Sequence, residues 1–221
     1  MRKMITVKIN GEERQYPQGA TYEDVANDYQ QEYENLIALA ARDGKIRELF
    51  KKLTRDCEVT FFTLKDDVGN KTYVRSATML FLKAVFDVYG REAAQSCRVE
   101  FAIGNGSYIS PKEKINATEE NAAKIRNRMR ELVEAKTPFL KRSYSLDNAM
   151  ELFRKEGMKD KEKLFRYRRG SFVNIYEMDG YYDYYYGYML PNAGYVKWFD
   201  VIAYEDGFML LLPDKKDPTH V

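Results

Sequence analysis

The chain has 221 residues, of which 44% are hydrophobic and 32% are charged, as is ordinary for a soluble globular protein. With 36 basic and 34 acidic residues the net charge is +2, so nucleic-acid binding would need a local patch. No apolar run of about 18 residues and no signal-peptide core is present, so we expect a cytoplasmic protein without a membrane partner. The single histidine, His220, excludes histidine triads and multi-histidine metal sites, and the two cysteines form no CxxC pair.

The first 65 residues carry patterns of short strands around one helix. Residues 5–10 alternate apolar and polar side chains, and the Asn10-Gly11 pair that follows predicts a β-hairpin. Thr21, with Asp24 three positions later, predicts a capped helix start. Strands are predicted again at 36–46 and 57–64. The order ββα and then ββ predicts a small β-grasp module over residues 1–65.

A polar stretch at 65–70 predicts a domain boundary, after which helix and strand patterns alternate. The predicted elements are a broadly apolar helix at 73–90 closed by Gly90, two strands around Gly104-Asn105-Gly106, a charged amphipathic helix at 118–135, a strand at 141–145, a helix opened by Ser145 and ended by Gly157, and strands through the last 50 residues, including the tyrosine run at 181–188. This predicts a second α+β domain at 68–213 and a polar tail at 214–221.

The segment ITVKINGEERQYPQGATYEDVA resembles TGS domains, the ubiquitin-like units of threonyl-tRNA synthetases and certain GTPases. The later residues resemble the editing domain that threonyl- and alanyl-tRNA synthetases share. There Asp183, Gly187 and Pro191 match the motif Asp-x-Cys-Arg-Gly-Pro-His-x-Pro. The resemblance covers about residues 4–212. It implies an α+β fold in which a β-grasp domain precedes an editing-like domain.

In that family two histidines on a helix and a later cysteine and histidine hold zinc and serve catalysis. The resemblance puts Ser76, Leu80, Tyr185 and Met189 at these positions, and this set is no match for the donors that zinc needs. We therefore expect no metal, no cofactor and no catalytic residue in this chain. The expected remnant is a vestigial pocket of Ser76, Thr78, Leu80, Lys83, Asp183, Tyr185 and Met189. The ammonium of Lys83 is expected to reach solvent rather than the pocket.

Two basic segments are candidates for nucleic-acid contact. One holds Arg166, Arg168 and Arg169, and the other holds Lys51 and Lys52. The alternative interpretation is that both are solvated loops, and it is the one we favour. The tyrosine run has two interpretations as well: stacking on bases, or packing within a half-buried sheet, which we favour.

The same pair of domains precedes a uridine-kinase-like domain in some bacterial proteins. The leading hypothesis is therefore a non-catalytic binding or regulatory region of a nucleoside-kinase-like protein, which would recognise RNA, a nucleotide or its own kinase domain. ATP and magnesium would serve only that downstream domain, because no G-x-x-x-x-G-K-[ST] motif is present here. The alternatives are a zinc-independent aminoacyl-tRNA deacylase using Ser76, Thr78 and Asp183, and a structural module that forms homo-oligomers through the tyrosine-rich sheet.

Overall fold

The first part of the chain forms a five-stranded mixed sheet with one helix packed on it. Its elements are β1 (Met4–Ile9), β2 (Glu12–Pro17), α1 (Tyr22–Tyr29), a 3-10 helix (Gln30–Glu32), β3 (Ile37–Arg42), β4 (Lys45–Glu48) and β5 (Cys57–Thr63). The strand order is β2-β1-β5-β3-β4, with β1 parallel to β5 and the other pairs antiparallel. This is the β-grasp arrangement that the sequence predicts. The computed structural model describes residues 3–112, 114–166 and 170–221.

Local sequence signals account for the hairpin turn and for the start of α1 in this module. Asn10 and Gly11 have φ values of 51° and 88°, as a two-residue hairpin turn requires. Thr21 caps α1: its hydroxyl accepts from the Asp24 amide at 3.1 Å, and the Asp24 carboxylate accepts from the Thr21 amide at 2.7 Å. The predicted hairpin and capping box are confirmed.

The described residues of the second part of the chain form five helices of six or more residues and two antiparallel sheets. Its elements are α2 (Asp67–Tyr89), α3 (Arg91–Ser96), β6 (Arg98–Ile103), β7 (Gly106–Ser110), α4 (Glu119–Glu134), β8 (Leu140–Ser145), α5 (Leu146–Lys155), α6 (Lys159–Arg166), β9 (Phe172–Met178), β10 (Tyr181–Asp183), a 3-10 helix (Ala193–Tyr195), β11 (Asp200–Tyr204) and β12 (Gly207–Leu211). The sheet orders are β11-β12-β7-β6 and β10-β9-β8. The whole is an α+β fold.

The long helix α2 begins six residues before the predicted start, inside the polar stretch that predicts a break. The Asp66 carboxylate accepts from the Thr63 amide at 2.7 Å and so holds the last residue of β5 against the helix start. Gly69 lies so close to this strand end that a Cβ there would overlap the Thr63 carbonyl oxygen. The polar residues are therefore the first turn of a helix, and Gly90, with φ 84°, ends it as predicted.

The tyrosine run was predicted as strand throughout, and this is wrong beyond Asp183. Within the run only β10 is a strand, paired with β9, and the chain from Tyr184 to Asn192 lies outside any strand. Gly187 has a φ of 132° and lies against the Arg75 guanidinium, which leaves no room for a Cβ. The predicted strand therefore does not extend to Tyr185 or Gly187.

Buried residues form one core in each part of the chain and a smaller third cluster. The first core fills the space between the mixed sheet and α1, and the second surrounds α2. The third lies between α5, α6 and β9 and includes Phe165, on a helix that the sequence prediction missed. Among the described residues, no helix is long and apolar enough to cross a membrane.

Candidate functional site

The structure brings together Ser76 and Met189, two of the four positions where the resemblance puts metal ligands. Ser76 and Met189 are fully buried, with Oγ and Sδ 3.9 Å apart. The Ser76 hydroxyl donates to the Thr72 carbonyl at 2.8 Å and accepts from the Leu190 amide at 3.0 Å. Leu80 is buried too. The hydrogen bonds of the serine are therefore committed to backbone, and this part of the expected pocket is filled by side chains.

The resemblance puts Tyr185 at the position of the family's cysteine. Its hydroxyl is buried and has no hydrogen-bond partner among the described residues. Burial raises the pKa of this phenol well above its usual value, so the group stays neutral. Its ring contacts Tyr176 edge-on, with the ring centroids 6.5 Å apart. A neutral phenol offers neither the thiolate nor the imidazole that zinc needs.

These donors therefore do not fit zinc, because serine, leucine, neutral tyrosine and methionine give no comparable ligand set. Within the described ranges, no group of three or more histidine, cysteine, aspartate or glutamate side chains is placed to hold a metal ion. We derive no metal-dependent step for this chain.

Lys83 was expected to extend its ammonium into solvent, and this is wrong. Its side chain is only 2% exposed, and Nζ lies 2.7 Å from an Asp87 carboxylate oxygen and 2.7 Å from the Asp179 carbonyl oxygen. The Asp87 carboxylate also accepts from Arg128 at 2.9 Å. Thr78 likewise faces inward, and its hydroxyl donates to the Val74 carbonyl at 2.8 Å. Both side chains stabilise the fold around α2.

Asp183, a residue of the expected pocket, lines a cavity between described residues. This cavity holds about 420 Å³ and lies between α3, α6 and β10. Asp183 accepts from the Tyr184 amide at 2.6 Å and from the Tyr181 hydroxyl at 3.3 Å. Cys97 and Arg98 also face the cavity. Burial raises the pKa of the Cys97 thiol to about 12, so this cysteine is not a nucleophile near neutral pH.

Lys161 completes the cavity and was missed by sequence reasoning. Its ammonium forms an ion pair with the Asp183 carboxylate, and its side chain is mostly buried. Burial and the nearby Arg98 guanidinium lower the pKa of Lys161 to about 8. Lys159 and Lys163 flank it in the sequence, and no pattern there distinguishes the buried lysine from these more exposed ones.

A second buried polar group, also missed, joins the β-grasp module to the expected pocket. Glu48, at the end of β4, is 3% exposed. Its carboxylate accepts hydrogen bonds from the Tyr176 hydroxyl, from the Met189 amide at 3.2 Å and from the Lys141 ammonium at 2.9 Å. Nearby, Arg75 donates to the Tyr188 carbonyl at 3.0 Å. The segment around Met189 is thus held by residues from both parts of the chain.

The predicted nucleic-acid contacts lie at separate places. Lys51 and Lys52 are exposed beside the β-grasp sheet. Arg166 ends α6 and forms an ion pair with Glu162 at 3.1 Å. Arg168 and Arg169 lie outside the described residues.

Threonine–tRNA ligases match this chain over most of its length. The enzyme of Thermotoga maritima is 29% identical over 205 residues, which is 90% of this chain and 30% of the ligase. Those of Porphyromonas gingivalis and Carboxydothermus hydrogenoformans are each 25% identical and cover 85% and 90% of this chain. The chain is homologous to the N-terminal region of threonine–tRNA ligases. No family model matches it.

The chain spans only about 30% of the length of the ligases that it matches and departs from the expected ligand pattern at all four positions.

Proposed function

We propose that this chain is a non-catalytic binding region that recognises a nucleotide or the 3′ end of an RNA in the cavity beside Asp183. One observation carries the proposal. A cavity with charged walls is open, whereas the positions at which the resemblance puts zinc ligands are packed with side chains. Ser76, Leu80 and Met189 are packed, whereas Lys161 and Asp183 face the cavity.

The lining suits a nucleotide better than a purely apolar ligand. Lys161, Arg98 and Lys114 provide cations that can face a phosphate, although each also has a carboxylate within ion-pair distance. Asp183 can accept from a ribose hydroxyl or a base amino group. The Tyr181 ring adds an apolar wall. A cavity of about 420 Å³ lies within the usual range for small-molecule sites.

A zinc-independent deacylase remains the alternative, and one observation favours it. The Asp183 carboxylate lines the cavity, where it can accept a proton from a water molecule. Against it, the hydroxyls of Ser76 and Thr78 donate to carbonyls of their own helix. Neither is free to polarise an ester.

We further propose that the parent protein is nucleoside-kinase-like, with ATP and magnesium bound beyond this region. The support is the resemblance in domain order; the similarity to the ligases favours neither a kinase nor a ligase parent. The parent gene sequence tests this: a P-loop motif downstream supports the kinase, and a ligase catalytic domain contradicts it. Self-association is a third proposal, for which light scattering is the test.

Calorimetric titration with AMP, and with a short RNA ending in the tRNA 3′ sequence, tests the binding proposal. We expect saturable binding that Lys161→Met weakens at least tenfold. Lys155→Met is the matched control, because Lys155 is exposed on the neighbouring helix α5 and does not line the cavity. Absence of saturable binding at millimolar ligand, or equal loss in both variants, would contradict the proposal.

A further inference from the structure

We propose that a basic groove between the β-grasp sheet and the second part of the chain binds the phosphodiester backbone of a single-stranded nucleic acid. The groove is formed by two adjoining depressions of about 680 and 310 Å³ that share Glu23, Lys136 and Asn192. Neither shares a residue with the cavity beside Asp183. Two adjoining depressions suit a polymer better than a single small molecule.

The charge of the groove is strongly one-sided. Lys51 and Lys52 come from the β-grasp side, and Lys136 and Lys197 come from the other side. None of these four forms an ion pair with a described residue, so their charges are available to a ligand. Glu23 is the one carboxylate residue in the described lining. Lys141 and Arg142 also line the groove, but they are paired with Glu48 and Glu177.

The walls of the groove are held in place by backbone hydrogen bonds. The Phe139 amide donates to the Pro191 carbonyl at 3.1 Å, and the Ala193 amide donates to the Thr137 carbonyl at 2.8 Å. Because these hydrogen bonds fix the backbone, a lysine in the groove walls loses less conformational entropy on binding than a lysine on a mobile loop.

Lys136 has a defined backbone conformation at the end of α4. It follows the C-cap of α4 with a φ of 49°, a left-handed conformation that favours glycine. Its amide donates to the Val133 carbonyl and the next amide donates to the Leu132 carbonyl, which is the Schellman pattern. Its side-chain stem packs on Gly194, where a Cβ would come within 2.9 Å of the lysine Cγ. The chain thus places a cation at a position where glycine is conformationally preferred.

Apolar surface in the same groove favours a single strand over a duplex. Phe50 is partly exposed, with the Lys51 ammonium 5.3 Å from its ring centroid, and Leu140 is 39% exposed. Unstacked bases can rest on such side chains, whereas the bases of a duplex are already stacked.

Fluorescence anisotropy with a labelled, unstructured 12-residue RNA tests the proposal on the whole chain. Four phosphate contacts predict a slope of log affinity against log salt of about −2.8, which is about a 50-fold loss between 50 and 200 mM salt. Replacing Lys51, Lys52, Lys136 and Lys197 with glutamine should abolish most of this slope. The matched control replaces four exposed lysines outside the groove: Lys8, Lys45, Lys71 and Lys155.

Lys136→Gly separates binding from folding. Because glycine adopts the left-handed conformation more easily than lysine, this variant should melt at the same or a higher temperature. It should nevertheless reduce the salt slope by about 0.7. An unchanged slope, or an equal loss of binding in the control quadruple variant, would overturn the proposal. Equal affinity for duplex RNA or for polyphosphate would also overturn it, because neither offers unstacked bases. AMP binding in the cavity is measured separately, so either proposal can fail alone.

Discussion

Removal of the Glu48 carboxylate is expected to destabilise the protein severely. In Glu48→Ala, Lys141 keeps a mostly buried ammonium without its partner, since its side chain is 15% exposed. The buried Met189 amide loses its acceptor as well, while the Tyr176 hydroxyl keeps its bond to the Gly187 carbonyl at 3.0 Å. Breaking a buried ion pair by removing one partner costs about 3–5 kcal/mol, so we expect the free energy of unfolding to fall by that amount.

Urea denaturation followed by circular dichroism and by the fluorescence of Trp198 measures this loss. Glu58→Ala is the control, because Glu58 is exposed on β5 of the same sheet, and the loss of unfolding free energy in this variant should stay within about 0.5 kcal/mol. Glu48→Gln keeps the shape of the side chain and removes its charge, so its loss of unfolding free energy should lie between those of Glu48→Ala and Glu58→Ala. A loss below about 1 kcal/mol for Glu48→Ala would refute the idea that this carboxylate joins the two parts of the chain.

Three further predictions concern titration and local structure. AMP affinity should fall between pH 7 and 9, because burial lowers the pKa of Lys161 to about 8 and its ammonium loses a proton in that window. Calorimetry at fixed ionic strength checks this. An equal fall of affinity in Lys161→Met would contradict it. Cys97 should react with a thiol reagent at pH 8 far more slowly in the native protein than in urea, because burial raises the pKa of its thiol to about 12. Equal rates in the two conditions would contradict the partly buried position of the Cys97 thiol. Thr21→Ala removes the capping hydroxyl of α1 and should cost about 1 kcal/mol in urea titrations; no change would mean that the cap is not needed.

Features encoded by neighbouring residues were predictable. The turn at Asn10-Gly11, the cap at Thr21 and the start of α4 after Thr118 each depend on residues within four positions of one another. The same holds for the helix that Ser145 opens, where the hydroxyl accepts from an amide three residues on. The residues that make these contacts are close in the sequence, so these local elements could be predicted, and they helped to indicate the fold class.

Features that depend on distant contacts were not predictable. Glu48 meets Tyr176 and Met189 across 128 and 141 positions, so nothing around Glu48 indicates that it is buried. Lys83 is buried because Asp179 closes over it from 96 positions away. The tyrosine run looked like a strand because aromatic residues favour strands, but the packing of Gly187 against Arg75 ends the pairing.

Hydrolysis of a mischarged aminoacyl-tRNA tests the central claim most directly. The intact chain is incubated with the labelled substrate, with and without added zinc, and release of the amino acid is followed over time. We expect no release above that of a heat-denatured sample, because Ser76 and Met189 are packed and the described residues contain no metal ligand set. Turnover that Asp183→Asn abolishes would contradict it and would support the deacylase alternative.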